Sequence, residues 1–264
     1  MSKANLKDST FIIPIKLESN DRIANFSIVI KFLTKYLDTN IIIYEQGIRS
    51  VAHNLPKIYP NIRYLFEQSS GGEPFHRTRY LNQMIMLSQT PITINYDLDI
   101  ILPIESLLLS QDFILNKNLD MIFPFGYGDF QKNVNKTIKS KLFNSLESDE
   151  FKNLFNIMDQ NSEILPSLYG HVQCFKTSSY IEGGMENEGF ISYGPEDLER
   201  ACRFLKLGYK VSHLISDNSY VYHLDHERGK DSSKDNPFFH KNVELYNHLL
   251  ELEIPELKKY YNIA

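Results

Sequence analysis

The first hundred residues alternate strand-sized apolar runs with segments of helical period, and this alternation limits the chain to one class of fold. Phe11–Ile15, Ile41–Tyr44, Ile62–Phe66 and Pro91–Tyr96 have strand length, with Pro14 expected to stop the first. Between the first two, Ile23, Phe26, Val29, Ile30, Leu33 and Leu37 recur at helical spacing, which predicts an amphipathic helix over Ile23–Leu37. A second helix is predicted over Arg77–Ser88. Strands alternating with helices build an α/β, Rossmann-like and mainly parallel sheet, covered on both faces. Ligands of such sheets sit beyond the carboxyl ends of the strands. The fourth run leads straight into Asp97-Leu98-Asp99 at one of those ends.

Downstream, the pattern predicts a helix over Pro103–Gln111 and a strand over Met121–Pro124. Lys132–Leu165 is polar and rich in Lys and Asn, and reads as a helical excursion from the core. A strand resumes at Gly170–Phe175, and Pro195–Leu207 is a helix whose first turn holds Glu196, Asp197 and Glu199. Tyr209–His213 and Ser219–Tyr222 are short strands, and Asn242–Leu252 is a surface helix. No repeat or linker divides the 264 residues, so one domain is expected over 1–264. The 33 acidic and 28 basic side chains provide no overall basic field for nucleic acid. Two cysteines, Cys174 and Cys202, do not make a disulfide framework and favour a reducing, cytoplasmic setting. The N-terminus lacks the apolar run of a signal peptide, and no stretch reaches the ~18 to 20 apolar residues of a membrane span. Peripheral membrane association is left open.

Four groups of residues could carry chemistry. On a strand, Asp97 and Asp99 face the same way, and two carboxylates in one crevice suit magnesium or manganese beside a diphosphate. The same tripeptide also fits a solvated strand end. His223 and His226 could add imidazole to a metal held by Asp99, provided the chain turns between them; a charged surface loop is the competing reading. Gly183-Gly184 would let backbone approach a ligand. Glu196 and Asp197 stand at a helix start, where a carboxylate can accept a proton from a hydroxyl or simply complement the helix dipole. Arg77, in Phe75-His76-Arg77, could pair with a phosphate or belong to a solvated basic edge.

Taken in order, Phe75-x-Arg77 with Leu81-Asn82, Asp97-x-Asp99, Gly183-Gly184, Tyr193-Gly194-Pro195-Glu196-Asp197 and His223-x-x-His226 form a more specific signal than any member. The chain resembles the β-1,4-galactosyltransferase and chondroitin-synthase group of GT-A glycosyltransferases, including its bacterial or viral capsule-building type. The resemblance runs from about Phe11 to about Asn242 and is strongest over Gly170–Asn236. Tyr193 and Pro195 replace the group's usual Trp and second Gly. The resemblance implies a nucleotide-binding half over about 8–125 and an acceptor half over about 166–245. It implies a UDP-sugar donor, a glycan or glycoconjugate acceptor, and Mn2+ or Mg2+. Asp99, His223 and His226 would hold the metal, with Asp97 beside the nucleotide. Asp197 would be the catalytic base with Glu196 next to it. Pro14, Ile15, Glu45 and Arg77 would lie on the nucleotide side, and Gly183 and Gly184 would border the donor sugar. Transfer with inversion is the reading this favours; a retaining transferase of the polypeptide N-acetylgalactosaminyltransferase type and a silent sugar-nucleotide-binding module are the alternatives.

Overall fold

A computed structural model describes residues 2–148, 151–216 and 219–263, with the backbone alone for Lys152, Ser167 and Lys230. In chain order the first elements are β1 (Ala4–Ile15), α1 (Asn20–Tyr36), β2 (Leu37–Gly47), α2 (Leu55–Ile58), β3 (Ile62–Gln68), α3 (Arg77–Leu87), β4 (Ile92–Tyr96) and β5 (Ile100–Ile101). Then come α4 (Ile104–Asn116), β6 (Met121–Phe123), β7 (Gly128–Val134), α5 (Lys139–Glu147), α6 (Phe151–Gln160), β8 (Ser162–Ser167) and β9 (Val172–Lys176). The chain closes with α7 (Thr177–Glu182), α8 (Glu196–Lys206), β10 (Val211–His213), β11 (Val221–Leu224), α9 (Phe239–Glu251) and α10 (Ile254–Tyr260).

Seven strands form the central sheet in the order β10-β6-β9-β4-β1-β2-β3. Every pairing is parallel except the two made by β9, which runs antiparallel between β4 and β6. β1 lies between β2 and β4, with Phe11 opposite both Ile41 and Ile94. Successive residues Phe11, Ile12 and Ile13 are all fully buried, so both faces of this strand are covered, as the unbroken apolar run implied. The strand does not stop at Pro14: it runs on to Ile15, paired with Glu45. α1 starts one turn earlier than the apolar spacing suggests, because Ser19 caps it by accepting from the Arg22 amide at 3.2 Å.

The excursion over Lys132–Leu165 is only partly helical. β7 and β8 flank α5 and α6, and with β5 and β11 they make a second sheet in the order β5-β11-β7-β8. The polar composition hid the strands: β7 buries only Gln131 and Val134, and β8 pairs with it at the edge of the sheet. The second sheet also positions the site. His223 pairs with Ile100, and the Leu224 amide donates to the Asp99 carbonyl at 2.8 Å. The segment after Asp99 is thereby tied to the strand that carries His223. One hydrophobic core spans both sheets, and a smaller cluster of Phe190, Leu249 and Leu257 seats α9 and α10. Among the described residues, no helix is long and apolar enough to cross a membrane.

Candidate active site

An open cleft lies at the carboxyl ends of β1 and β4. Asp97 and Asp99 form part of its floor, together with Pro14, Arg77, His171 and both residues of the Glu196-Asp197 pair. The turn holding the acidic pair is closed by the buried Tyr96 hydroxyl, which donates to the Ile100 carbonyl at 2.9 Å. The two aspartates enter the same cleft but meet different partners.

Asp99 faces the histidines. Its Oδ2 lies 2.9 Å from His226 Nε2 and 4.0 Å from His223 Nε2. β11 ends at Leu224, and the coil that follows turns His226 back toward the same carboxylate. Strand alternation would have placed the rings on opposite faces, so the turn is what joins them. The other ring nitrogens are occupied: His226 Nδ1 donates to the Glu227 carbonyl at 2.9 Å, and His223 Nδ1 contacts Asn133 Oδ1 at 2.8 Å. These partners fix the ring orientations and aim both Nε2 atoms at Asp99; His226 Nε2 donates to the carboxylate, and a metal held there would take the place of that proton. The three ligand atoms lie within 4.8 Å of one another. Burial pulls Asp99 toward neutrality, but the bond from His226 and the nearby rings outweigh it and hold the carboxyl well below its usual range. The bond to Asp99 raises His226, while burial lowers His223. Two nitrogens and a carboxylate oxygen, oriented by outer partners, are a donor set that fits a divalent metal.

Asp97 faces the arginine instead. Arg77 Nη2 donates to Asp97 Oδ1 at 2.8 Å, and Arg77 Nη1 reaches Asp197 Oδ1 at 3.4 Å and Glu196 Oε1 at 3.8 Å. The first residue of α3 therefore bridges the strand end to the start of α8. Asp197 Oδ1 also accepts from Arg200 and, at 3.2 Å, from Gln173 Nε2. No hydrogen bond from the described residues reaches its Oδ2. Burial would raise Asp197, yet Arg77 and Arg200 prevail and keep it below the usual carboxylate range. Glu196 behaves oppositely. Its Oε2 is buried without a partner, and burial together with the Asp197 charge pushes it up to about 8. Two adjacent carboxyl groups are thus separated, one ionised and one protonated near neutrality.

Several of the sequence-based expectations fall elsewhere. Ile15 is fully buried in the core and does not line the cleft, whereas Pro14 does. Glu45 lines a neighbouring groove with Gln46, Gly47 and Arg49. Its carboxylate is taken up by the Val51 and Ala52 amides and by the Tyr64 hydroxyl, so it organises the loop after β2. Gly183 and Gly184 do not border the cleft. A side chain on Gly183 would meet Phe204 at 2.6 Å, and Gly184, at φ +90°, packs on Tyr261. Their smallness serves packing and a left-handed turn after α7. Tyr193 does line the cleft and stacks on Phe239 with ring centroids 5.9 Å apart.

Other lining residues carried no signal in the sequence. His171 sits in the left-handed region at φ +71°, accepts the Asp97 amide on its carbonyl at 3.1 Å, and is pushed down to about 4 by burial and by His223. Arg22, in the first turn of α1, lines the cleft with its Nε and Nη1 buried and unpartnered. Asp231 ties Lys16 to Ser192, whose hydroxyl donates to it at 2.9 Å. A run of Asn, Asp and Arg between a strand and a helix looks like any polar loop, so Arg22 could be found only once its burial was visible.

No family model matches the sequence, and no curated protein matches it. Solved structures do. The chain superposes on a mannosyltransferase from Pyrobaculum calidifontis, in complex with GDP-Man and Mn2+, at TM-score 0.52 and 12% identity, covering 84% of this chain and 58% of that one. It superposes on GalNAc-T7 with UDP, GalNAc and Mn2+ at TM-score 0.56 and 11% identity, covering 97% of this chain and 54% of that one. The chain thus spans little more than half the length of either. A Drosophila β1,4-galactosyltransferase 7 catalytic domain with xylobiose gives TM-score 0.48 at 11% identity, covering 83% and 71%, too low to bear an argument. The fold is the GT-A fold of glycosyltransferases, a mainly parallel Rossmann-like sheet with helices on both faces.

Proposed function

We propose that this chain is a metal-dependent glycosyltransferase that moves a hexose or N-acetylhexosamine from a UDP-sugar to a hydroxyl of a glycan or glycoconjugate, with inversion. The observation that carries the reading is the meeting, in one cleft, of the Asp99–His223–His226 cluster with an ionised Asp197 whose Oδ2 is free. Asp99, His223 and His226 would hold the ion; two imidazoles favour Mn2+ over Mg2+, which prefers oxygen ligands alone. When bound, the metal supplies positive charge to the leaving diphosphate.

The chain's own residues account for the rest. Arg22 lines the cleft, has two unpaired guanidinium nitrogens, and is suited to a phosphate. Pro14 and Asp97 lie on the donor side, with Arg77 holding Asp97 in place. The acceptor hydroxyl gives its proton to Asp197 Oδ2 while its oxygen bonds to the anomeric carbon. The bond from that carbon to the diphosphate oxygen breaks, and UDP leaves with the electron pair. Protonated Glu196 can donate a hydrogen bond to the sugar or the acceptor. Tyr193, stacked on Phe239, offers a flat apolar face at the rim for a sugar ring. Free Cys174 and Cys202 fit a cytoplasmic setting.

A thermal-shift screen of nucleotide sugars with Mn2+ tests the reading. A ligand that binds only the folded chain raises the melting temperature. UDP-sugars should raise it with Mn2+ and not with EDTA; equal shifts in EDTA, or shifts with GDP-mannose alone, would overturn the donor and metal assignments.

A further inference from the structure

Behind Asp197 lies a chain of buried polar groups that neither the cleft nor the proposed chemistry requires. Arg200 stands one turn along α8 from Asp197 and is wholly inaccessible to solvent. Its Nη2 donates to Asp197 Oδ1 and, at 2.5 Å, to Gln173 Oε1. Its Nη1 donates to Glu186, which is itself buried. Glu186 accepts from the Tyr180 hydroxyl, and that hydroxyl accepts from Asn95 Nδ2 at 2.6 Å. Asn82 fixes the Glu186 backbone at both ends, accepting from its amide at 2.9 Å and donating to its carbonyl at 3.1 Å.

A buried ion pair of this kind seldom stabilises a fold more than apolar residues of the same volume would. The arrangement does have a geometric consequence. Arg200, Gln173 and Arg77 all converge on the same oxygen of Asp197, leaving Oδ2 as the one oxygen available to a substrate. We propose that Arg200, anchored from behind by Glu186 and Tyr180, is a positioning residue that fixes the orientation and ionised state of Asp197. The proposal rests on the reading of Asp197 as the proton acceptor.

Asp197 is faced by Arg77 from α3, by Asp97 from the end of β4, by His171 ahead of β9, and by Glu196 and Arg200 from α8. Of these, Arg77 and Arg200 are the cations that favour its charged form, and Arg77 is shared with Asp97 and Glu196. The other hydrogen bonds of Arg200 go to Glu186 and Gln173 behind the site, so it can be altered without disturbing the bridge that Arg77 makes to Asp97.

The experiment compares transfer by wild type, R200K, Y180F and the double variant R200M/E186Q, which removes both buried charges together. Each is checked for cooperative melting and for Mn2+-dependent UDP binding. The double variant should bind UDP as wild type does, lose roughly 100-fold in kcat with the donor KM nearly unchanged, and move the acid limb of its pH profile upward. R200K should recover most of the rate, and Y180F should shift the limb in the same direction by less. An unshifted acid limb with wild-type kcat in the double variant overturns the proposal. If the double variant does not fold, Y180F decides: a shifted limb supports the proposal and an unshifted one overturns it. D197N separates the two claims. Its full activity would overturn the assignment of Asp197 itself, whereas an inactive D197N with an unaffected R200M/E186Q would overturn only the role of Arg200.

Discussion

Glu196→Gln should make the protein more stable, and increasingly so as pH rises. Glu196 is 8% exposed, its Oε2 has no partner, and its nearest cation, Arg77 Nη1 at 3.8 Å, is shared with two aspartates. Burial and the Asp197 charge push its carboxyl from 4.5 up to about 8. The folded state therefore keeps a proton that the unfolded chain has released. The stabilisation from the protonated form is fully present below about pH 4.5, and it is lost as pH rises toward about 8. Within that window each pH unit costs up to ~1.4 kcal/mol from this group alone, so going from about pH 5.5 to about pH 7.5 costs up to ~2.7 kcal/mol. Glutamine has nearly the same shape and no charge, so the cost disappears with it. Urea unfolding of both proteins, without metal or nucleotide, gives the stability difference at each pH. The difference should grow in favour of the variant by ~1 to 3 kcal/mol across that range. A difference that stays flat with pH would refute the argument that Glu196 is held uncharged beside an ionised Asp197.

Three further outcomes follow from the same structure. Asp99→Ala removes the one carboxylate among the three clustered ligand atoms, and calorimetry should find Mn2+-dependent UDP binding weakened by ~100-fold or more; unchanged binding would refute the metal assignment. Gly183→Ala would drive a methyl to within 2.6 Å of Phe204 and should cost ~1 to 3 kcal/mol in urea unfolding; a neutral result would mean that α7 and α8 pack less closely than described. Glu45→Ala strips the Val51 and Ala52 amides of their acceptor and should destabilise by ~1 to 3 kcal/mol, since a buried donor is left without a partner. No change in stability there would refute the structural role given to Glu45.

The central sheet was legible because its strands are buried on both faces and read as unbroken apolar runs such as Phe11–Ile13 and Ile41–Ile43. The reversed direction of β9 was not, since an antiparallel strand buried among parallel ones has the same composition. The end of β7 and most of β8 fell within the segment read as a helical excursion, because their exposed and half-buried positions carry polar side chains such as Lys132, Asn133 and Glu163. Within the site, side chains of distinctive chemistry at distinctive spacing could be picked out: Arg77, Asp97, Asp99, His223 and His226 do converge on one cleft with Glu196 and Asp197. The role of a glycine or of a lone acid could not, because it depends on which neighbour the fold supplies. Gly183 meets Phe204, and Glu45 meets two loop amides, from segments that no local pattern links to them. Arg200 is the plainest case: on a helix with alternating charges it reads as a solvated i,i+3 partner of Asp197, and only its complete burial against Glu186 reveals otherwise.

The most direct measurement is UDP release and product formation from UDP-hexoses and UDP-N-acetylhexosamines with a panel of glycan acceptors, for wild type and Asp197→Asn, with Mn2+ and with EDTA. Wild type with Mn2+ should form a glycoside of inverted anomeric configuration by NMR. EDTA should abolish it, and Asp197→Asn should bind UDP while transferring at least ~100-fold more slowly. A fully active Asp197→Asn, a metal-independent wild type, or a product of retained configuration would contradict the account.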